Sequence, residues 1–182
     1  MPITDPEAAL EGVPHSTWER LAELASKHRA EEGRPPVTGP QVRTDYIRTV
    51  QEFHDDPQQA MAVGHQAPTL QAGNCDSLGP FTITAVGPVS LSVEGEFCPG
   101  KNWSATVTVS QKVAGETIWR AEYALSPEHA SATFNPAIGV AKANGTIGIF
   151  GEKFCLRLYG NACYWWFGWR CKDLDETLAC FR

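Results

Sequence analysis

All six cysteines of this chain, Cys75, Cys98, Cys155, Cys163, Cys171 and Cys180, lie beyond residue 74, and the first 74 residues contain none. That split marks two regions with different physics. A cysteine-rich second region is read as one stapled by disulfides, and disulfides persist mainly in oxidising compartments. The intervals of 23, 57, 8, 8 and 9 residues contain no Cys-x-x-Cys, and no histidine falls among the last four cysteines, so zinc ligation is not expected. Six cysteines permit about 15 pairings; Cys75–Cys98, Cys163–Cys171 and Cys155–Cys180 are the expected ones. The start, Met1-Pro-Ile-Thr-Asp-Pro-Glu, shows neither a basic nor an apolar leader segment. The chain is nevertheless expected to work outside the cell, with a missing or non-standard leader.

Composition follows the same division. Residues 1–70 hold 6 Lys/Arg and 11 Asp/Glu, whereas the remainder holds 9 and 10. A net charge of −6 argues against nucleic-acid binding, which needs a basic stripe to displace counterions, and against electrostatic docking on anionic lipid. No run approaches the ~18 apolar residues that span a bilayer.

The first region, residues 1–70, reads as a helical extension of two to three short helices. Ser16-Thr-Trp-Glu19 has capping-box spacing, Trp18, Leu21, Ala22 and Ala25 recur at helical intervals, and Gly33 before Pro35-Pro36 ends the element. Thr38-Gly-Pro40-Gln41 opens a second helix with a stripe of Val42, Tyr46, Val50 and Phe53. Asp56-Pro57 suggests a third, closed by Gly64, with residues 64–73 as a connector. A helix end followed by an N-cap accounts for His54-Asp55-Asp56 without a metal.

Residues 71–182 read as a disulfide-braced antiparallel β-sandwich or small barrel of about eight strands. Phe81/Ile83/Ala85, Val89/Leu91/Val93, Ala105/Val107/Val109 and Trp119/Ala121/Tyr123/Leu125 each alternate with polar residues. Gly87-Pro88, Pro99-Gly100, Ala114-Gly115, Asn135-Pro136, Asn144-Gly145, Gly151 and Gly160-Asn161 are expected to be turns. The last would make a hairpin of residues 154–159 with 162–167. A short helix is expected from Asp173, with Asp175 and Glu176 in its first turn.

The most unusual segment is Cys163-Tyr-Trp-Trp-Phe-Gly-Trp-Arg-Cys171. As one extended strand, it would hold its end cysteines ~27 Å apart, too far to bond. A tight hairpin turning at Phe167-Gly168 brings them together. Burying an aromatic side chain covers about 150–250 Å² of surface, worth about 4–6 kcal/mol gross. Three tryptophans should therefore be core unless a ligand rewards their exposure. The binding reading places Tyr164, Trp165, Trp166, Trp169 and Arg170 against a glycan or a lipid surface, with Arg157 and Lys172 as further anchors, in a secreted, non-catalytic, lectin-like or toxin-like module.

No phosphate loop, dinucleotide fingerprint, His-Glu-x-x-His or Gly-x-Ser-x-Gly occurs, and no cofactor is implied. Two alternatives remain open. One is a hydrolase using Glu94 and Glu96, which would need the two carboxylates ~5–9.5 Å apart across a cleft. The other is an assembly protein docking through its helices. Asn102-Trp-Ser104 and Asn144-Gly-Thr146 match the glycosylation pattern.

Overall fold

The computed structural model describes residues 5–55, 63–64, 69–70 and 75–181. Two antiparallel sheets pack face to face behind three helices. The helices are α1 (Pro6–Ala9), α2 (His15–Glu31) and α3 (Gly39–Asp55). The first sheet consists of β1 (Val63–Gly64), β2 (Thr69–Leu70), β3 (Asp76–Val86), β4 (Val89–Cys98), β5 (Ser104–Val113) and β6 (Glu116–Leu125). Its order is β1-β3-β4-β5-β6, with β2 also on β3. The second sheet has the order β11-β10-β9-β7, built from β7 (Ser131–Phe134), β9 (Ala141–Phe150), β10 (Cys155–Trp165) and β11 (Trp169–Cys180). The short β8 (Ala137–Ile138) also pairs with β9. The sandwich and the strand alternation agree with expectation. The four alternating runs are β3 to β6, and their apolar members Phe81, Ile83, Leu91, Val93, Val107 and Val109 are buried.

The three disulfides join Cys75–Cys98, Cys155–Cys180 and Cys163–Cys171, the pairing expected from sequence. Each links neighbouring antiparallel strands at positions directly opposite or one step beyond the ladder, with Cα atoms 4.0–4.1 Å apart. Closing these loops restricts the unfolded chain and stabilises the fold by roughly 2–4 kcal/mol per bridge.

Three local expectations fail. Gly160-Asn161 is not a turn, because β10 runs through it, and Asn144-Gly145 lies inside β9. The two glycines face each other across the β9–β10 ladder. A side chain at Gly145 would begin 2.6 Å from the Tyr159 carbonyl oxygen and 2.9 Å from the Phe134 ring, and one at Gly160 would meet the Asn144 carbonyl, so Gly145 makes room for a core aromatic and Gly160 for the neighbouring strand instead of reversing the chain. The helix expected from Asp173 is strand β11. Asp173 and Asp175 face outward while Leu174 and Leu178 face in, and pairing with β10 outweighs a weak helix-start signal.

The helical region is helical where expected, with different details. α2 begins at His15, with Pro14 as its cap and no side-chain hydrogen bond there, so the Ser16–Glu19 capping box does not form. Thr38 and Gln41 do form one. The Gln41 amide donates to Thr38 Oγ1 at 3.4 Å, and the Thr38 amide donates to Gln41 Oε1 at 2.9 Å. Gly33 follows α2 with φ of 71°, as a C′ residue should. The third helix expected from Asp56 lies mostly outside the described residues; Val63–Gly64, at its far end, is strand and pairs with Ile83 and Thr82.

The helices share the core of the sheets. Trp18, Leu21, Val42, Tyr46 and Val50 belong to the same buried cluster as Phe81, Leu91, Leu156 and Leu158. Arg29 of α2 grips Glu116 of β6, its Nε donating to both carboxylate oxygens at 3.0 Å, and Arg120 of β6 pairs with Glu31 at 3.5 Å. Hydrogen bonding to Glu116 and its negative charge raise the Arg29 pKa against a smaller opposing effect of burial.

Candidate functional site

The aromatic segment closes the β10–β11 hairpin at Trp166-Phe167-Gly168, the tight-hairpin geometry. The Trp166 amide donates to the Gly168 carbonyl at 2.8 Å. Phe167 takes a φ of 55° at the turn. Strand alternation then divides the segment between two sides. Trp165 lies opposite Trp169 and Cys163 opposite Cys171 on one side, while Tyr164 lies opposite Arg170 on the other.

The second side faces the helices. Tyr164 and Trp166 are fully buried. Phe53 and His54 of α3 meet Tyr164 edge-on, and His54 also meets Trp166. The His54 Nε2 lies 2.9 Å from the Tyr164 hydroxyl. Tyr46 donates its hydroxyl proton to the Trp165 carbonyl at 2.6 Å, and the Phe167 amide donates to the Ala9 carbonyl at 3.0 Å. Arg170 turns back, its Nε donating to the Trp166 carbonyl at 2.8 Å. Burial raises the pKa values of Tyr46 and Tyr164, the latter despite Arg170 nearby. Burial first, and then Arg170, lower that of His54. Of the residues expected to contact a ligand, Tyr164 and Trp166 offer it no surface, while Arg170 is exposed but stands on the other side of the hairpin from Trp165 and Trp169. Tyr164 and Trp166 are core, and Arg170 braces the hairpin on the side facing away from Trp165 and Trp169.

The first side is open. Trp169 keeps 39% of its surface exposed and Trp165 is half-buried, their rings edge-to-face at 5.4 Å. Lys142 of β9 places its ammonium 3.8 Å from the Trp169 ring centre. Along β10 the same face continues through the Cys163–Cys171 bridge to Asn161, Tyr159 and Arg157. Asp173 and Asp175 stand beside them on β11, and Asn144 and Thr146 on β9. Asn161 donates to Asp173 at 3.0 Å, and Arg157 to Asp175 at 2.7 Å. Local turn signals at residues 144–145 and 160–161 and a helix signal at Asp173 hide this row in the sequence, whereas the period-two order Arg157, Tyr159, Asn161, Cys163, Trp165 marks its β10 members, and pairing adds Lys142 and Asn144 from β9 and Asp173 and Asp175 from β11.

The other candidates do not converge. Glu94 and Glu96 are both exposed, two residues apart on the outer face of β4, with Thr108 and Thr106 opposite. Glu96 lies close to the sulfurs of Cys75 and Cys98, but those sulfurs are bonded to each other and offer no thiolate to a metal. Asn102 is exposed in the β4–β5 turn, and Asn144 is exposed on the second sheet. Lys172 is half-buried on β11. No described helix is long and apolar enough to cross a membrane. No protein-family model, curated protein or solved structure matches the chain.

Proposed function

We propose that this protein is a secreted, non-catalytic binding module that holds a glycan on the outer face of its second sheet, with Trp165 and Trp169 as the primary contacts. The observation that carries the reading is the division of the aromatic segment. The hairpin buries two of its aromatic residues and leaves Trp169 exposed beside a row of amides and carboxylates. A sugar ring has an apolar C–H face and a rim of hydroxyls. An indole complements the first, and Asn161, Asp173 and Lys142 complement the second. The bridges suit an oxidising compartment.

A lipid surface fits less well. The hairpin tip, where Phe167 is half-exposed, is tied to α1 through its backbone, and carboxylates stand on the same face as Trp169. The test is affinity electrophoresis of the whole protein through a panel of neutral polysaccharides (glucan, xylan, mannan, chitin derivatives). At least one should retard the wild type, and Trp169→Ala and Trp165→Ala should abolish that retardation. Tm should move little in Trp169→Ala. If no polysaccharide, neutral or anionic, retards the wild type, or if both variants are retarded like it, the reading fails.

A further inference from the structure

The same sheet face carries a second, separate aromatic feature. An open cleft of about 470 Å³ is lined by Phe150, Arg157, Tyr159, Gly160, Leu174 and Asp175. Tyr159 is 39% exposed, and its ring lies 6.0 Å from that of Phe150. The Arg157 guanidinium stands 5.8 Å from the Tyr159 ring centre and is held there by Asp175. Tyr159 and Trp165 point to the same side of β10, and the six residue steps from one to the other span ~20 Å at about 3.3 Å per residue. No register shift interrupts β10 over this stretch in its pairing with β9 or β11.

We infer that the Tyr159 cleft is a second sugar subsite and that the ligand is an extended, uncharged oligosaccharide lying along β10 from Trp165 to Tyr159. This rests on the glycan reading above and adds the ligand's length and charge class. The charge class follows from neutralisation within the face. Arg157 is matched by Asp175, Asp173 accepts a hydrogen bond from Asn161, and Lys142 lies over the Trp169 ring, so the face carries two carboxylates and two cations. A polyanion would meet two carboxylates and a polycation two cations, whereas hydroxyls meet donors and acceptors already oriented. The length follows from the separation, since a short sugar covers one aromatic feature and only a longer one reaches both.

The experiment is calorimetric titration of the whole protein with linear oligosaccharides, from two rings to six, cut from the polysaccharide that retards it. Affinity should rise by at least about tenfold between the shortest and longest members. Tyr159→Ala should cancel that rise while leaving affinity for the shortest member within about twofold and Tm unchanged. Tyr159→Phe, which keeps the ring, should retain the rise. Affinity that is independent of length, or a Tyr159→Ala variant that keeps the rise, overturns the second subsite and leaves the Trp169 site standing. Retention of anionic but not neutral polysaccharides overturns the charge class. A wild type retarded by no glycan overturns both readings.

Discussion

Adjacent residues of the aromatic segment have opposite roles, and their substitutions separate them. Trp166 is fully buried beneath α3, so Trp166→Ala should cost about 3–5 kcal/mol in a urea titration. Trp169 is exposed beside Lys142, so Trp169→Ala should cost under about 1 kcal/mol. Similar losses for the two would contradict the division of the segment. His54 supplies a pH signature. Burial and Arg170 lower its pKa in the folded protein, against a weaker upward pull from Asp55, while the unfolded chain keeps the ordinary value near about 6.5. As pH falls through about 6.5, the unfolded chain takes up a proton that the folded protein resists, so stability falls until the lower, folded pKa is passed. His54→Gln should flatten that slope between about pH 7 and pH 5 in parallel melting curves, the other histidines being common to both proteins. An unchanged slope would show that His54 is not sealed against Tyr164.

At the scale of the element, the β10–β11 hairpin governs the face, and the cysteines already encoded most of it. Cys163 and Cys171 each lie four residues from Phe167, and Cys155 and Cys180 lie twelve and thirteen away. Nested pairs of that kind require one long hairpin turning at Phe167, which rules out a turn at Gly160-Asn161 and a helix at Asp173. The one-residue inequality is the bulge between Leu156 and Arg157. Two expectations were therefore in conflict within the sequence, and the covalent one decides, because local turn and helix signals are worth little beside a fixed strand register. What the sequence did not show is which side of the hairpin the helices cover. That depends on Tyr46 and His54 meeting residues more than a hundred positions away, and neither helical pattern names its target. Opening the Cys163–Cys171 bridge by a double substitution to Ser should lower stability by roughly 2–3 kcal/mol. The same change should weaken glycan retention, since the bridge fixes the strand pair on which Trp165 and Trp169 stand. Retention at wild-type strength would assign the bridge to stability alone.

For the whole molecule, the N-terminal helices form one wall of a common core. A fragment beginning at Cys75 would uncover the positions now filled by Trp18, Leu21, Val42 and Tyr46, and would bare Tyr164 and Trp166. It should bind a hydrophobic dye and lose its cooperative melting transition. A fragment that melts as sharply as the full chain would show that the sheets are self-sufficient. The acidic helical front and the nearly neutral sheet region, distinct in composition, are thus joined by burial, and the proposed binding face is the strand surface that the helices leave open. The most direct test of that claim is an amide chemical-shift titration of the full chain with an oligosaccharide that retards it. The account predicts perturbations concentrated at residues 142–150, 157–165 and 169–177. Perturbations centred on the outer face of β4 around Glu94 and Glu96, with the second sheet silent, would contradict it.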